Sequence, residues 1–206
     1  MGINFIGPDE LKIIGSQFGI KNPLTTTTIP GIPYDERELK RLRNTSILIL
    51  GVHKFDNNDS MTLKNLRARF GFDPANHEPC FYNQDWYINE SFFTKQTIDL
   101  KWYIVGKDLE SDSRGKPFPT GFVSNEGQLL PIPTAILCAY TFFVYYFHSK
   151  GEILWPHDYL WCQDTDHNGD QIYIGRYIDP DGINKNGFNI HRFLRINNRY
   201  GRIKVV

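Results

Sequence analysis

The sequence predicts an α+β fold, a mixed or antiparallel sheet with a C-terminal β-hairpin packed on a buried central helix at about 133–149. Three observations lead there. Between Pro133 and Gly151 runs one long segment with apolar side chains on every face, including Ala135, Leu137, Ala139, Phe142, Phe143, Val144, Tyr146 and Phe147. A helix that is apolar all round is buried or spans a membrane. About 17 residues at ~1.5 Å each reach about 25 Å, short of the ~30 Å hydrocarbon thickness, so burial is expected. The strand-like runs gather late in the chain, with an evident hairpin, and do not alternate regularly with helices.

The elements follow in order. Pro8 opens a short helix with Leu11, Ile14 and Phe18 near one face and Gly19 at its end. From Lys21 to Pro33 four consecutive threonines and three prolines make an extended connector, so 1–33 reads as an N-terminal helix with its connector and 34–206 as a single α+β domain. Tyr34 to Arg43 is a charged helix in which acids precede bases, as the helix dipole favours. Ser46–Val52 is a compact apolar strand, and Ser60 is the expected cap of a helix through Phe70.

The aromatic stretch Phe72–Phe93 reads as a loop folded on the core edge, before a strand at about 98–105 and a polar loop from Lys107 to Thr120. The hairpin pairs Tyr159–Gln163 with Gln171–Ile178 around Asn168-Gly169, a strong short-range turn signal. Phe188–Ile196 and Arg202–Val206 complete the strands. A sheet built from 46–52, 98–105, 159–163 and 171–178 is expected.

Of the 206 residues, 40% are hydrophobic, 15% aromatic and 22% charged, a balance that excludes general disorder. The formal net charge is zero, so no global field recruits nucleic acid or an anionic membrane. Cys80, Cys138 and Cys162 are widely spaced and read as reduced, packed thiols. With no basic, apolar leader at the N-terminus, a cytoplasmic protein without membrane contact is expected.

Four groups of residues carry candidate chemistry. Asp164, Asp166, Asn168, Gly169 and Asp170 mimic the first half of a calcium loop, where alternate oxygens converge on one ion. The position of the closing glutamate is Gly175, so a turn whose side chains satisfy the backbone is preferred over a Ca²⁺ or Mg²⁺ site, and no cofactor is expected. Asp85 with Asp99 and Lys101 has the composition by which some nucleases hold Mg²⁺ and orient water. Such a set also suits a solvent-exposed strand edge. His53 and Asp56, just beyond a strand, are explained by loop polarity.

Charge segregation is the last feature. Residues 152–182 hold seven acids and one base, whereas 183–206 hold six bases and no acid. Arg192, Arg195, Arg199 and Arg202 are therefore candidates for an anion-facing or partner-facing surface. The balance of charge favours internal pairing with the acidic segment over nucleic acid.

The run from Leu154-Trp-Pro-His-Asp-Tyr-Leu-Trp through Asp179-Pro-Asp-Gly-Ile, with Tyr82-Asn-Gln-Asp-Trp, Trp102-Tyr-Ile-Val and Pro131-Ile-Pro-Thr-Ala, resembles a pattern recurrent in uncharacterised bacterial proteins of similar length. That resemblance implies a single bacterial domain and carries no assigned activity. The expected function is a non-enzymatic binding or assembly protein presenting aromatic and charged loops to a partner, with another protein the leading candidate. The alternative is a metal-dependent phosphodiesterase or nuclease using Asp85, Asp99 and Lys101 or the acidic hairpin.

Overall fold

A computed structural model describes residues 4–20, 28–72, 78–118, 122–124, 126–176, 187–192 and 198–206. The fold is α+β, with five α-helices and two mixed sheets among these residues. No helix among them is long and apolar enough to cross a membrane. Part of the connector (21–27), Asp179, Asp181 and Arg195 lie outside the described residues.

The first sheet has β1 (Phe5–Ile6), β2 (Ser46–Leu50) and β3 (Trp102–Gly106) in that order. β1 runs parallel to β2, and β2 antiparallel to β3 with Leu48 opposite Ile104. The second sheet has the order β6–β5–β4–β7, from β4 (Tyr159–Thr165), β5 (Gln171–Arg176), β6 (Phe188–His191) and β7 (Tyr200–Gly201). The single sheet expected from the sequence is thus two sheets. Strand propensity marks which segments extend but says nothing of which edges meet. Here β1 and β7, two residues each, join parallel to β2 and β4 and complete separate ladders.

Helix α1 is Pro8–Phe18, α2 is Glu36–Leu42, α3 is Leu63–Phe70, α4 is Ser91–Thr94 and the central α5 is Ala135–His148. Leu11, Ile14 and Phe18 of α1 belong to the same core as α5, so the N-terminal helix is packed into the body of the protein. Every residue of α5 from Ala135 to Tyr145 is buried. Its start is set by Thr134, whose hydroxyl accepts the Leu137 N–H at 3.2 Å, so the helix begins after Thr134 and not at Pro133. In α3 the cap is likewise Thr62 rather than Ser60, accepting from Asn65 N–H at 3.2 Å.

Two bonds fix α5 between the sheets. Tyr140 donates to the carbonyl of Leu50 on β2 at 2.8 Å, and the Asp164 carboxylate on β4 accepts the Ala135 N–H at 2.6 Å. Around it Phe143 stacks on Phe70 at 4.3 Å and on Phe81 at 5.0 Å. The aromatic stretch after Phe72 does fold onto the core: Phe81, Tyr87, Phe92 and Phe93 are all buried. Trp86, in their midst, is half-buried.

Candidate functional site

The β4–β5 hairpin reverses through a tight turn at 166–170. Gly169 has a φ of 85°, the left-handed conformation that a residue lacking Cβ adopts without strain. Its N–H bonds the Asp166 carbonyl at 3.0 Å. The Asp166 side chain completes the turn by accepting the N–H groups of Asn168 at 2.8 Å and Asp170 at 2.9 Å. Its other oxygen takes a guanidinium N–H of Arg192, just beyond β6. This carboxylate is fully buried. Burial opposes its charge, but the Arg192 guanidinium and the amides of Asp170 and Asn168 outweigh burial and hold its pKa below the ordinary carboxylate value.

Glu90, which immediately precedes α4, supports the next residue of the turn. Its side chain makes no cap to its own helix and instead receives the His167 N–H at 3.0 Å and His167 Nδ1 at 2.6 Å. The Glu90 side chain is 9% exposed and that of His167 65%. The contact seats one edge of the largely exposed imidazole against a carboxylate that is itself shielded from solvent. Glu90, Asp166 and His167 present ligand atoms within 4.8 Å of one another, the one such group of three or more among the described residues. Two carboxylates and an imidazole are a donor set that divalent transition ions accept. Here, however, the Asp166 oxygens are engaged by Arg192 and two amides, and Arg192 brings positive charge where a cation would come.

Beside this cluster lies a band of stacked arginines. The Arg192 guanidinium sits 4.6 Å from the centroid of the Trp86 ring, and Trp86 Nε1 donates to the Ile190 carbonyl at 3.2 Å. Next in the chain, Asp85 pairs with Arg67 at 2.9 Å, and Arg67 lies 4.4 Å from the centroid of Phe72. Two units of the same kind, each an aspartate, an arginine and an aromatic ring, are therefore linked through the peptide joining Asp85 and Trp86. Phe72 and the nearby Ile88 are exposed.

The candidate residues from the sequence are distributed as follows. Asp164 faces the start of α5, away from the tip, and Asn168 and Asp170 serve Asp166 through backbone N–H groups. Burial raises the Asp164 pKa above its ordinary value, opposed by the Ala135 N–H and the Gln96 side chain. Asp85 faces Arg67, while Asp99 lies 3.8 Å from Lys101 with both side chains exposed, so the two acids meet different bases. Neither belongs to the three-ligand group. His53 and Asp56 flank the loop after β2, and Asp56 pairs with Arg69 at 3.4 Å.

Of the basic residues, Arg192 does pair with the acidic hairpin. Arg202 pairs instead with Glu110 and Asp112, because β7 runs beside the 111–113 turn, where Ser113 accepts the Arg202 N–H at 2.8 Å. Arg199 is exposed, and its carbonyl accepts the Tyr159 N–H at 2.7 Å. Sequence reasoning misses Glu90, His167 and Trp86 as site residues. His167 stands within the turn, but its partner Glu90 comes 77 positions earlier, a distance no local pattern bridges. No family model, no curated protein and no solved structure matches this chain.

Proposed function

We propose that this is a non-enzymatic binding or assembly protein whose hairpin tip and adjoining aromatic loop form the face offered to a protein partner. The observation that carries the reading is the doubled Asp–Arg–aromatic arrangement, Asp85–Arg67–Phe72 beside Asp166–Arg192–Trp86, with His167 at its margin. Arginine and tryptophan are among the side chains most enriched at positions that dominate interface energies. Here they are held in place before any partner arrives, by buried Asp166 and by the Trp86 bond to Ile190. Such pre-ordering lowers the entropy cost of association. The charges within the face are mutually matched, which favours a mixed protein surface over a polyanion.

The test is a photo-crosslinking residue in place of exposed Asn168, in the cells that make the protein. A discrete protein adduct is expected there, and none from the same residue at Lys12 on α1. A parallel turnover screen on labelled DNA and RNA with Mg²⁺ or Mn²⁺ addresses the phosphodiesterase alternative. Metal-dependent cleavage abolished by Asp85→Asn or Asp99→Asn would replace the binding reading.

A further inference from the structure

The first sheet carries a groove of about 610 Å³ that shares no residue with the bonding network of the hairpin tip. Its existence follows from the sequence. Leu48 and Ile104 are register partners, and both line the groove on one face of the sheet. The helix above them, α2, is only seven residues long and highly charged, with Leu39 and Leu42 as its apolar residues. It covers that face in part, and a groove walled by Phe5, Leu39, Leu48 and Ile104 remains. The volume falls within the range of small-molecule sites, which combine apolar walls with a few polar groups.

The lining also carries charge of one prevailing sign. Lys40 is paired with Glu36 at 2.8 Å, but exposed Arg43 forms no ion pair with any described residue. A guanidinium offers a planar fork of N–H donors that matches a carboxylate. We propose that the groove binds a free medium-chain aliphatic carboxylate, with the chain laid along Phe5, Leu48 and Ile104 and the head group on Arg43. An apolar chain is what these walls can desolvate, and an anionic head is what the uncompensated arginine complements. Neither a neutral alkane nor a short polar anion uses both features.

Calorimetric titration of the full chain with octanoate, decanoate and dodecanoate, each below its micellar concentration, is the test. Affinity is expected to rise about three- to fourfold for each added methylene, the increment of burying one such group. Arg43→Gln should weaken decanoate binding about tenfold, the loss of one charge-assisted contact, while leaving binding of decanol unchanged. Because Arg43 is exposed, that variant keeps the fold, which an unchanged thermal melt verifies. Leu39→Glu should abolish binding of both ligands. Absence of saturable heat across the series overturns the proposal, as does equal decanoate affinity for wild type and Arg43→Gln. Sedimentation showing a dimer that Leu39→Glu dissociates also overturns it, by assigning the groove to a second copy of the chain.

Discussion

The Asp164 carboxylate of β4 accepts the N–H of Ala135 at 2.6 Å, so the hairpin supplies an acceptor to the first turn of the central helix. The residue that opens the calcium-like motif thus helps to join sheet and helix. Replacing it with Ala leaves a buried donor without its partner and should cost about 1–3 kcal/mol, whereas Asn, which keeps an oxygen, should recover much of the loss. Urea melts of the two variants measure this. Equal stability of wild type and Asp164→Ala would show that the bond contributes nothing.

Asp164 and Asp166 should titrate in opposite senses. The pKa of Asp164 is raised, so its contribution to stability is full below the ordinary carboxylate value and is lost as pH rises through the raised one. That of Asp166 is lowered, so its contribution is full above the ordinary value and is lost as pH falls through the lowered one. Carboxyl carbon shifts followed by NMR should show Asp166 ionising first from acid. The reverse order would contradict the placement of Arg192 on Asp166.

His191 gives a second pH dependence. It lies among Tyr159 and Tyr173 at ring separations of 5.5 and 6.4 Å, and burial lowers its pKa to about 4. A base with a depressed pKa favours folding above its unfolded value, near 6.5, and that advantage is lost as pH falls toward 4. The loss should amount to about 3 kcal/mol between those limits. His191→Phe should flatten this part of the stability profile, and an unaltered slope would show that His191 is solvated.

Phe143 is fully buried between Phe70 and Phe81. Phe143→Ala should cost about 3–5 kcal/mol, the transfer term plus the cavity left by incomplete relaxation. A thermal melt indicating less than about 1 kcal/mol would place the side chain outside the core.

Arg202 tests the internal use of the basic tail. Its side chain is 7% exposed, against 35% for Glu110 and 69% for Asp112. Because its partners remain partly in water, Arg202→Gln should cost about 1–3 kcal/mol, less than the loss for a fully buried pair. High salt should reduce the difference only modestly, since the guanidinium itself is shielded. A stability within experimental error of wild type would show that the pairing contributes nothing.

What can be read in the sequence is what periodicity and turn chemistry encode. The all-apolar run marks α5, and Asn168-Gly169 marks the β4–β5 reversal, because both signals are local. Pairing of β1 with β2 and of β7 with β4 is invisible there, since a two-residue strand has no period. The site divides in the same way. Charge alone points to Asp166 and Arg192, but the stacking of Arg192 on Trp86 and the seating of His167 on Glu90 depend on loops meeting across the fold. Asp164 illustrates the opposite case: a motif-like position whose side chain the tertiary structure uses elsewhere.

Crosslink yield from position 168 measures most directly whether the hairpin tip and the Trp86 loop form one binding face. A discrete protein adduct is predicted, with a yield that falls at least about tenfold in Trp86→Ala and in Arg192→Gln, each measured at a temperature well below that variant's own, lowered melt, and is unchanged by Lys12→Ala on α1. An adduct indifferent to Trp86 and Arg192, or no adduct at position 168, would contradict it.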